Sequence, residues 1–312
     1  MHESRWTRHA SSVRNIPSGR ETAGAIDALR ELLASMSVTE RELGLEHRRQ
    51  AALEGYYDRM TGLLLGHNLQ TSAPEDVVRN IARARTLAVL CGLDGGRKAL
   101  VIRFLYESHL IEAGGPVISL ADANLSYSDL TTVNLAGASF MGARLEGAHF
   151  RKAALGGADF TSADLTGAYL SGAYLGQATL EGATLKEADL TGTYLSGACF
   201  AYANLVGAHL EKAYMLGANF ANANLTGADL TDAHLPGVNL TGANLAGTRF
   251  AAANLEGAER VSAHIPGADP ASVNLHVDNF GGACFQDAHY TRETVWPEGF
   301  DPQAAGAVLA EA

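Results

Sequence analysis

At twenty-residue intervals one track of this chain carries Asp129, His149, Tyr169, Asp189, His209, Asp229, Arg249, Asp269 and His289. His209 between Asp189 and Asp229 has the composition of general acid–base machinery, in which an imidazole exchanges protons beside a carboxylate. Carboxylates and imidazoles on neighbouring turns of a coil also simply offset one another's charge, and that plainer reading is adopted. A second track carries Tyr174, Tyr194, Tyr214 and His234 at the same interval. Rings one coil apart are close enough for offset stacking, which serves plain surface stabilisation or, alternatively, a docking strip. A third track sets His264 against Cys284, but two ligands do not make a zinc site and Cys2His2 spacing is absent. There is no Walker-type loop, no G-x-S-x-G and no H-E-x-x-H. The expectation is a chain without catalytic residues, metal or cofactor.

The twenty-residue interval is four times a shorter one. From Leu120 to Phe285 one position in five is a large apolar residue, as in Leu125, Leu130, Leu135, Phe140, Leu145 and Phe150. Two places earlier stands a small residue, nearly always Ala, as in Ala123, Ala138 and Ala143. Two places later stands Gly in 18 of 34 units. A period of five is neither helical nor strand-like and signals a stacked solenoid. The large residue and the Ala point inward, and the other three positions face water. Gly two places after the centre suits the third position of a type II turn, which needs positive φ. Leu235-Pro236-Gly237-Val238 and Ile265-Pro266-Gly267-Ala268 add Pro at the second position. Each unit is therefore one extended step and a corner, and four units close a square coil.

Units such as Ala163-Asp164-Leu165-Thr166-Gly167 and Ala223-Asn224-Leu225-Thr226-Gly227 resemble those of the pentapeptide-repeat proteins. The resemblance covers roughly residues 118–290. It implies a mainly β solenoid, a right-handed quadrilateral parallel β-helix with four units per coil. At a coil rise of about 4.8 Å, some 8.5 coils would run roughly 41 Å. Regularity fails over residues 256–280, where Arg260 and Pro270 take central positions and Asp278 a small-residue slot. A lone buried carboxylate is costly, so this stretch reads as a bulge or register shift, with a ligand notch as the alternative.

Ahead of the repeats the pattern turns helical. Residues 1–20 read as a flexible leader, 21–117 as an α-helical N-terminal cap domain and 291–312 as a C-terminal cap or tail. Ala25–Met36 forms a short amphipathic helix. Ser37-Val38-Thr39-Glu40 has capping-box spacing before a long helix reaching about Leu65, and Ser72-Ala73-Pro74-Glu75 repeats the signal. Val77, Ile81, Ala84, Ala88 and Cys91 make an apolar seam at 4-3-4-3 spacing. Asp94-Gly95-Gly96 breaks the chain before a last helix over about 97–110, which turns Leu100, Val101, Phe104, Leu105 and Ile111 toward the first coil. Open solenoid ends expose unpaired backbone and need covering.

Charge narrows the partners. Residues 1–117 hold 15 Lys/Arg and 14 Asp/Glu, whereas 118–290 hold 7 and 16, net −9. An acidic coil is not expected to bind nucleic acid directly. Three well-separated cysteines favour a reduced, cytoplasmic setting. The opening residues lack a signal peptide's apolar segment, and no apolar run suits a membrane span. The expected function is a non-enzymatic scaffold that binds a protein through the faces of the coil, with a homodimer as a candidate assembly. The candidate contact residues are Tyr174, Tyr194, Tyr214 and His234, together with Asp129, Asp189, Asp229 and Asp269. The resemblance implies an alternative: some pentapeptide-repeat proteins bind bacterial type II topoisomerase, DNA gyrase, as acidic mimics of duplex DNA and protect it from inhibitors. Net −9 fits in sign but not in density, since 41 Å of duplex carries roughly 24 charges.

Overall fold

The computed structural model describes residues 38–112 and 116–249, together with 253, 289–290, 301, 303–304 and 308–309. The expectations for the leader, the helix over 25–36, Asp269, His264 with Cys284, and the irregular stretch 256–280 all lie outside these residues, as does most of the tail. The chain divides into two compact units, Met1–Ala51 and Ala52–Ala312. In the first, the described residues are the opening part of a long helix. The second holds the rest of that helix and the coil.

Among the described residues, three α-helices precede the coil: α1 (Val38–Gly66), α2 (Val77–Gly92) and α3 (Gly95–Glu107). The first reaches Gly66, one residue past the expected end near Leu65. The second begins later than the Ser72 signal suggests, because Asp76 is its N-cap and the Asp76 carboxylate accepts from the Ala73 amide at 2.7 Å. The third begins earlier. Gly95 and Gly96 form its first turn, and the Asp94 carboxylate accepts from the Arg97 amide at 3.0 Å. That is ordinary N-capping, which satisfies one of the donors a helix start leaves over.

The apolar seam Val77, Ile81, Ala84, Ala88 and Cys91 is exposed. The face turned inward is Ala82, Thr86 and Leu90. Thr86 can sit there because its hydroxyl pairs with Tyr56 Oη at 2.9 Å and donates to the Ala82 carbonyl at 2.9 Å, so a buried polar group keeps its partners. In α3, Val101, Ile102 and Leu105 are buried, while Leu100 is 47% exposed and does not join them.

From Ile118 onward the coil follows the five-residue period. Each bridge joins residue i to i+20, as in Asn124 with Arg144 and Arg144 with Asp164, always parallel. Four units per coil and a four-sided parallel β-helix follow directly. The extended steps are shorter than a mainly β description implies. Among the described coil residues each step is a single bridge residue, not a strand. A side of five residues that must also hold a corner leaves room for only one residue in ladder register. At the corners, the residue two after each centre has φ between 55° and 68°. Gly occupies many of these positions, but Lys152, Gln177 and Tyr202 also adopt the left-handed region, at a steric penalty of about 1–2 kcal/mol each.

The interior is apolar. The central Leu, Phe and Met215 and the small-slot Ala residues are almost all fully buried. Phe140 stacks on Phe160 at 4.9 Å, and Phe200 on Phe220 at 4.7 Å. Polar residues in the small slot keep a partner: Ser128 Oγ donates to the Leu125 carbonyl and Thr193 Oγ1 to the Leu190 carbonyl, each at 2.7 Å, and Thr248 Oγ1 to the Leu225 carbonyl one coil back at 2.9 Å.

Candidate protein-binding face

The tyrosine track is assembled by the coil itself. Parallel bridges hold Tyr174 beside Tyr194, Tyr194 beside Tyr214 and Tyr214 beside His234. Ring centroids are 4.8, 5.3 and 5.1 Å apart and the planes lie within 7° of parallel. Tyr174, Tyr194 and Tyr214 are 52%, 43% and 45% exposed. Stacking packs ring against ring while leaving each tyrosine roughly half exposed.

The acidic track behaves differently. The Oδ1 atoms of Asp129, Asp189 and Asp229 accept from the amides of Thr131, Thr191 and Thr231 at 3.2, 3.1 and 3.0 Å. Asp or Asn before the centre is thus part of the corner, an Asx turn that satisfies the next segment's backbone. Thr two places later often adds its hydroxyl, as in Thr231 Oγ1 to Asp229 at 2.6 Å. Hydrogen bonds from Thr131 hold the Asp129 carboxyl below its ordinary range. At Asp229 burial pushes the carboxyl up, but the Thr231 hydrogen bonds and the Arg249 guanidinium, 3.1 Å away, outweigh it and the net shift is downward. His209 pairs with neither Asp189 nor Asp229; its Nδ1 lies 3.5 Å from Glu211 on the same coil. Among the described residues of this track no proton-relay geometry is assembled.

Two groups of residues gain a role that their spacing did not announce. The first lies at the start of the coil. In later coils the carbonyl after each centre accepts an amide from the coil before, as Glu146 does from Tyr127 and Met141 from Asp122. The equivalent carbonyls of the first coil, Ala121 and Ser126, have no coil before them. Arg83 donates to Ala121 at 2.8 Å and Lys98 Nζ to Ser126 at 3.0 Å. Lys98 also donates to Asn124 Oδ1 at 3.1 Å, and burial pushes its ammonium pKa down. The second group is Arg151 and Lys152, exposed at the corner that precedes Ala154. The Arg151 guanidinium lies 4.9 Å from the Tyr169 ring centroid, and His149 packs on the same ring at 4.7 Å. Continuing the tyrosine track one coil backwards would have drawn attention to them.

No described helix is long and apolar enough to cross a membrane. Among the described residues no group of three or more His, Cys, Asp or Glu could hold a metal ion.

The family model described as pentapeptide repeats matches in 8 copies, over residues 118–157, 138–177, 163–201, 203–242, 223–259 and 234–269. Among solved structures, the chain is 31% identical to HetL, a pentapeptide repeat protein involved in heterocyst differentiation regulation in the cyanobacterium Nostoc sp. strain PCC 7120. That match covers 55% of this chain and 81% of HetL, with a TM-score of 0.28. A pentapeptide repeat protein of the Arabidopsis thaliana thylakoid lumen is 31% identical over 38% of this chain and 68% of its own, with a TM-score of 0.18. QnrB1, a plasmid-mediated fluoroquinolone resistance protein, is 18% identical over 54% of this chain and 85% of its own, with a TM-score of 0.30. No curated protein matches the chain.

Proposed function

Since the chain belongs to the pentapeptide-repeat family, we propose that it is a non-enzymatic scaffold that binds another protein through the outer faces of its coil. The observation that carries this reading is the exposed ladder Tyr174, Tyr194, Tyr214 and His234. Aromatic residues concentrate binding energy at interfaces. Rings already held by their neighbours lose little further freedom when a partner covers them. Cys91 and Cys199 are free thiols, in keeping with a reducing, cytoplasmic setting. The exposed seam Val77, Ile81, Ala84, Ala88 and Cys91 supports assembly as a homodimer, because its 4-3-4-3 spacing is that of a short coiled-coil face and a second copy carries the same seam.

The net charge of −9 over residues 118–290 supports a second reading, an acidic mimic of duplex DNA that binds DNA gyrase. Less favours it at the level of single residues, since Asp129, Asp189 and Asp229 are turned into their own corners and Asp229 is paired.

One experiment ranks the two. Gyrase and proteins captured from cells are tested against the wild type, a Tyr194→Ser/Tyr214→Ser variant and an Asp129→Asn/Asp189→Asn/Asp229→Asn variant. The scaffold reading expects a partner that the Tyr variant loses and the Asp variant keeps. Gyrase binding that weakens steeply with salt, competes with DNA and disappears in the Asp variant alone would favour the mimic.

A further inference from the structure

We propose that the face of Tyr174 turned toward Ala154 receives an aromatic side chain from an acidic segment of the partner protein, which becomes the next rung of the ladder. The proposal rests on the protein-binding reading above and gives it a contact point. The column runs Asn134, Ala154, Tyr174, Tyr194, Tyr214 and His234, held by consecutive parallel bridges. Rings fill it from Tyr174 upward at 4.8–5.3 Å intervals. At Ala154 the ladder stops, with only a methyl group where the repeat would place the next ring. Tyr194 is stacked on both faces, whereas Tyr174 stacks on Tyr194 alone and is the most exposed of the three tyrosines at 52%.

The surroundings of that position suit a flat guest. The corner after Ala154 is Gly156-Gly157, which carries no side chain; space beside Gly157 is open to 4 Å, and Gly156 faces only the Gly176 carbonyl. One coil further back the column ends in polar groups, where Asn134 Nδ2 donates to the Tyr106 hydroxyl at 3.0 Å. A ring entering here stacks on Tyr174 by one face and lies against bare backbone along its edge. Offset stacking at this spacing is the geometry aromatic pairs prefer.

Charge selects the segment that carries the ring. Arg151 and Lys152 are adjacent, exposed and at the corner leading into Ala154, in a stretch, 118–290, that holds only 7 Lys/Arg against 16 Asp/Glu. They favour Asp or Glu next to the incoming aromatic residue, while the remaining acidic surface repels an acidic segment elsewhere. The site is thereby specified in position as well as in chemistry.

The test uses the full chain and a peptide library displayed on phage, selected on the wild type and counter-selected on Ala154→Tyr, which completes the ladder from within. Selected peptides should carry Trp, Tyr or Phe beside Asp or Glu. A synthetic Glu-Asp-Trp-Asp-Glu peptide, followed by the polarisation of an attached dye, should bind the wild type. Its affinity should drop at least tenfold on Ala154→Tyr, on Tyr174→Leu and on Arg151→Gln/Lys152→Gln, and the last variant should also lose salt dependence. Ala154→Tyr should melt no lower than the wild type. If it does melt lower, Tyr174→Leu, which only removes the shelf, decides the matter. Equal binding to wild type and Tyr174→Leu, or no selected peptide with the aromatic–acidic pairing, overturns the proposal. Peptides that depend on Tyr194 and Tyr214 but ignore Ala154 and Arg151 would overturn this inference alone and leave the protein-binding reading standing.

Discussion

Lys98 Nζ donates at 3.0 Å to the carbonyl of Ser126, a carbonyl whose counterparts in the following coils, from Glu146 to Ala246, each accept an amide from the coil before. A helix side chain thus stands in for the coil that the first turn lacks. The alignment depends on Gly95: a Cβ there would overlap the Tyr127 carbonyl oxygen.

Two variants test this seal. Lys98→Met should leave the Ser126 carbonyl without its donor and lower stability by about 1–3 kcal/mol. Gly95→Ala should push α3 away from the coil, and hydrogen exchange of first-coil amides should accelerate while those near Leu205 stay protected. Unchanged exchange around Leu120–Leu135 in both variants would show that the helices do not seal the end.

Leu205 is fully buried at the centre of its unit. Leu205→Asp places an unpaired charge in the apolar interior and should cost several kcal/mol. A thermal melt indistinguishable from wild type would contradict the inward assignment.

Asp229 provides a pH test. Its carboxyl titrates below the ordinary range when folded, so the folded state binds fewer protons than the unfolded chain. The resulting stability is fully present above the unfolded value and is lost as pH falls through the folded one, that is, below about pH 4. Asp229→Asn should therefore narrow the stability gap between pH 6 and pH 3. A denaturation midpoint whose pH dependence matches wild type would rule the contribution out.

Dimerisation is read by light scattering on the full chain. If the α2 seam is the interface, Ala84→Arg should turn a concentration-dependent dimer into a monomer with an unchanged melt. A wild type that is monomeric at high concentration removes the homodimer from the reading.

The five-residue period by itself determined the coil, its inward Leu, Phe and Ala columns, the left-handed corners and the stacking of Tyr174, Tyr194 and Tyr214. Each is local or follows from repeating one unit every twenty residues, so translation along the chain carries it without further information. The aspartates were legible as a column but not as corner acceptors. Whether Asp229 meets solvent or its own Thr231 amide depends on a backbone bend that composition does not show. The α2 seam was legible as an apolar stripe but not in what it faces, for a related reason. Val77, Ile81 and Ala84 have the spacing of a buried stripe, but periodicity marks an apolar face without saying what lies against it. The Tyr56–Thr86 pair and the packing of Ala82 and Leu90 decided that the opposite face is covered. The contacts of Lys98, Arg83 and Gly95 with the first coil occur once, between segments some 26–38 residues apart. Nothing repeats to announce them, and only the tertiary structure brings them together.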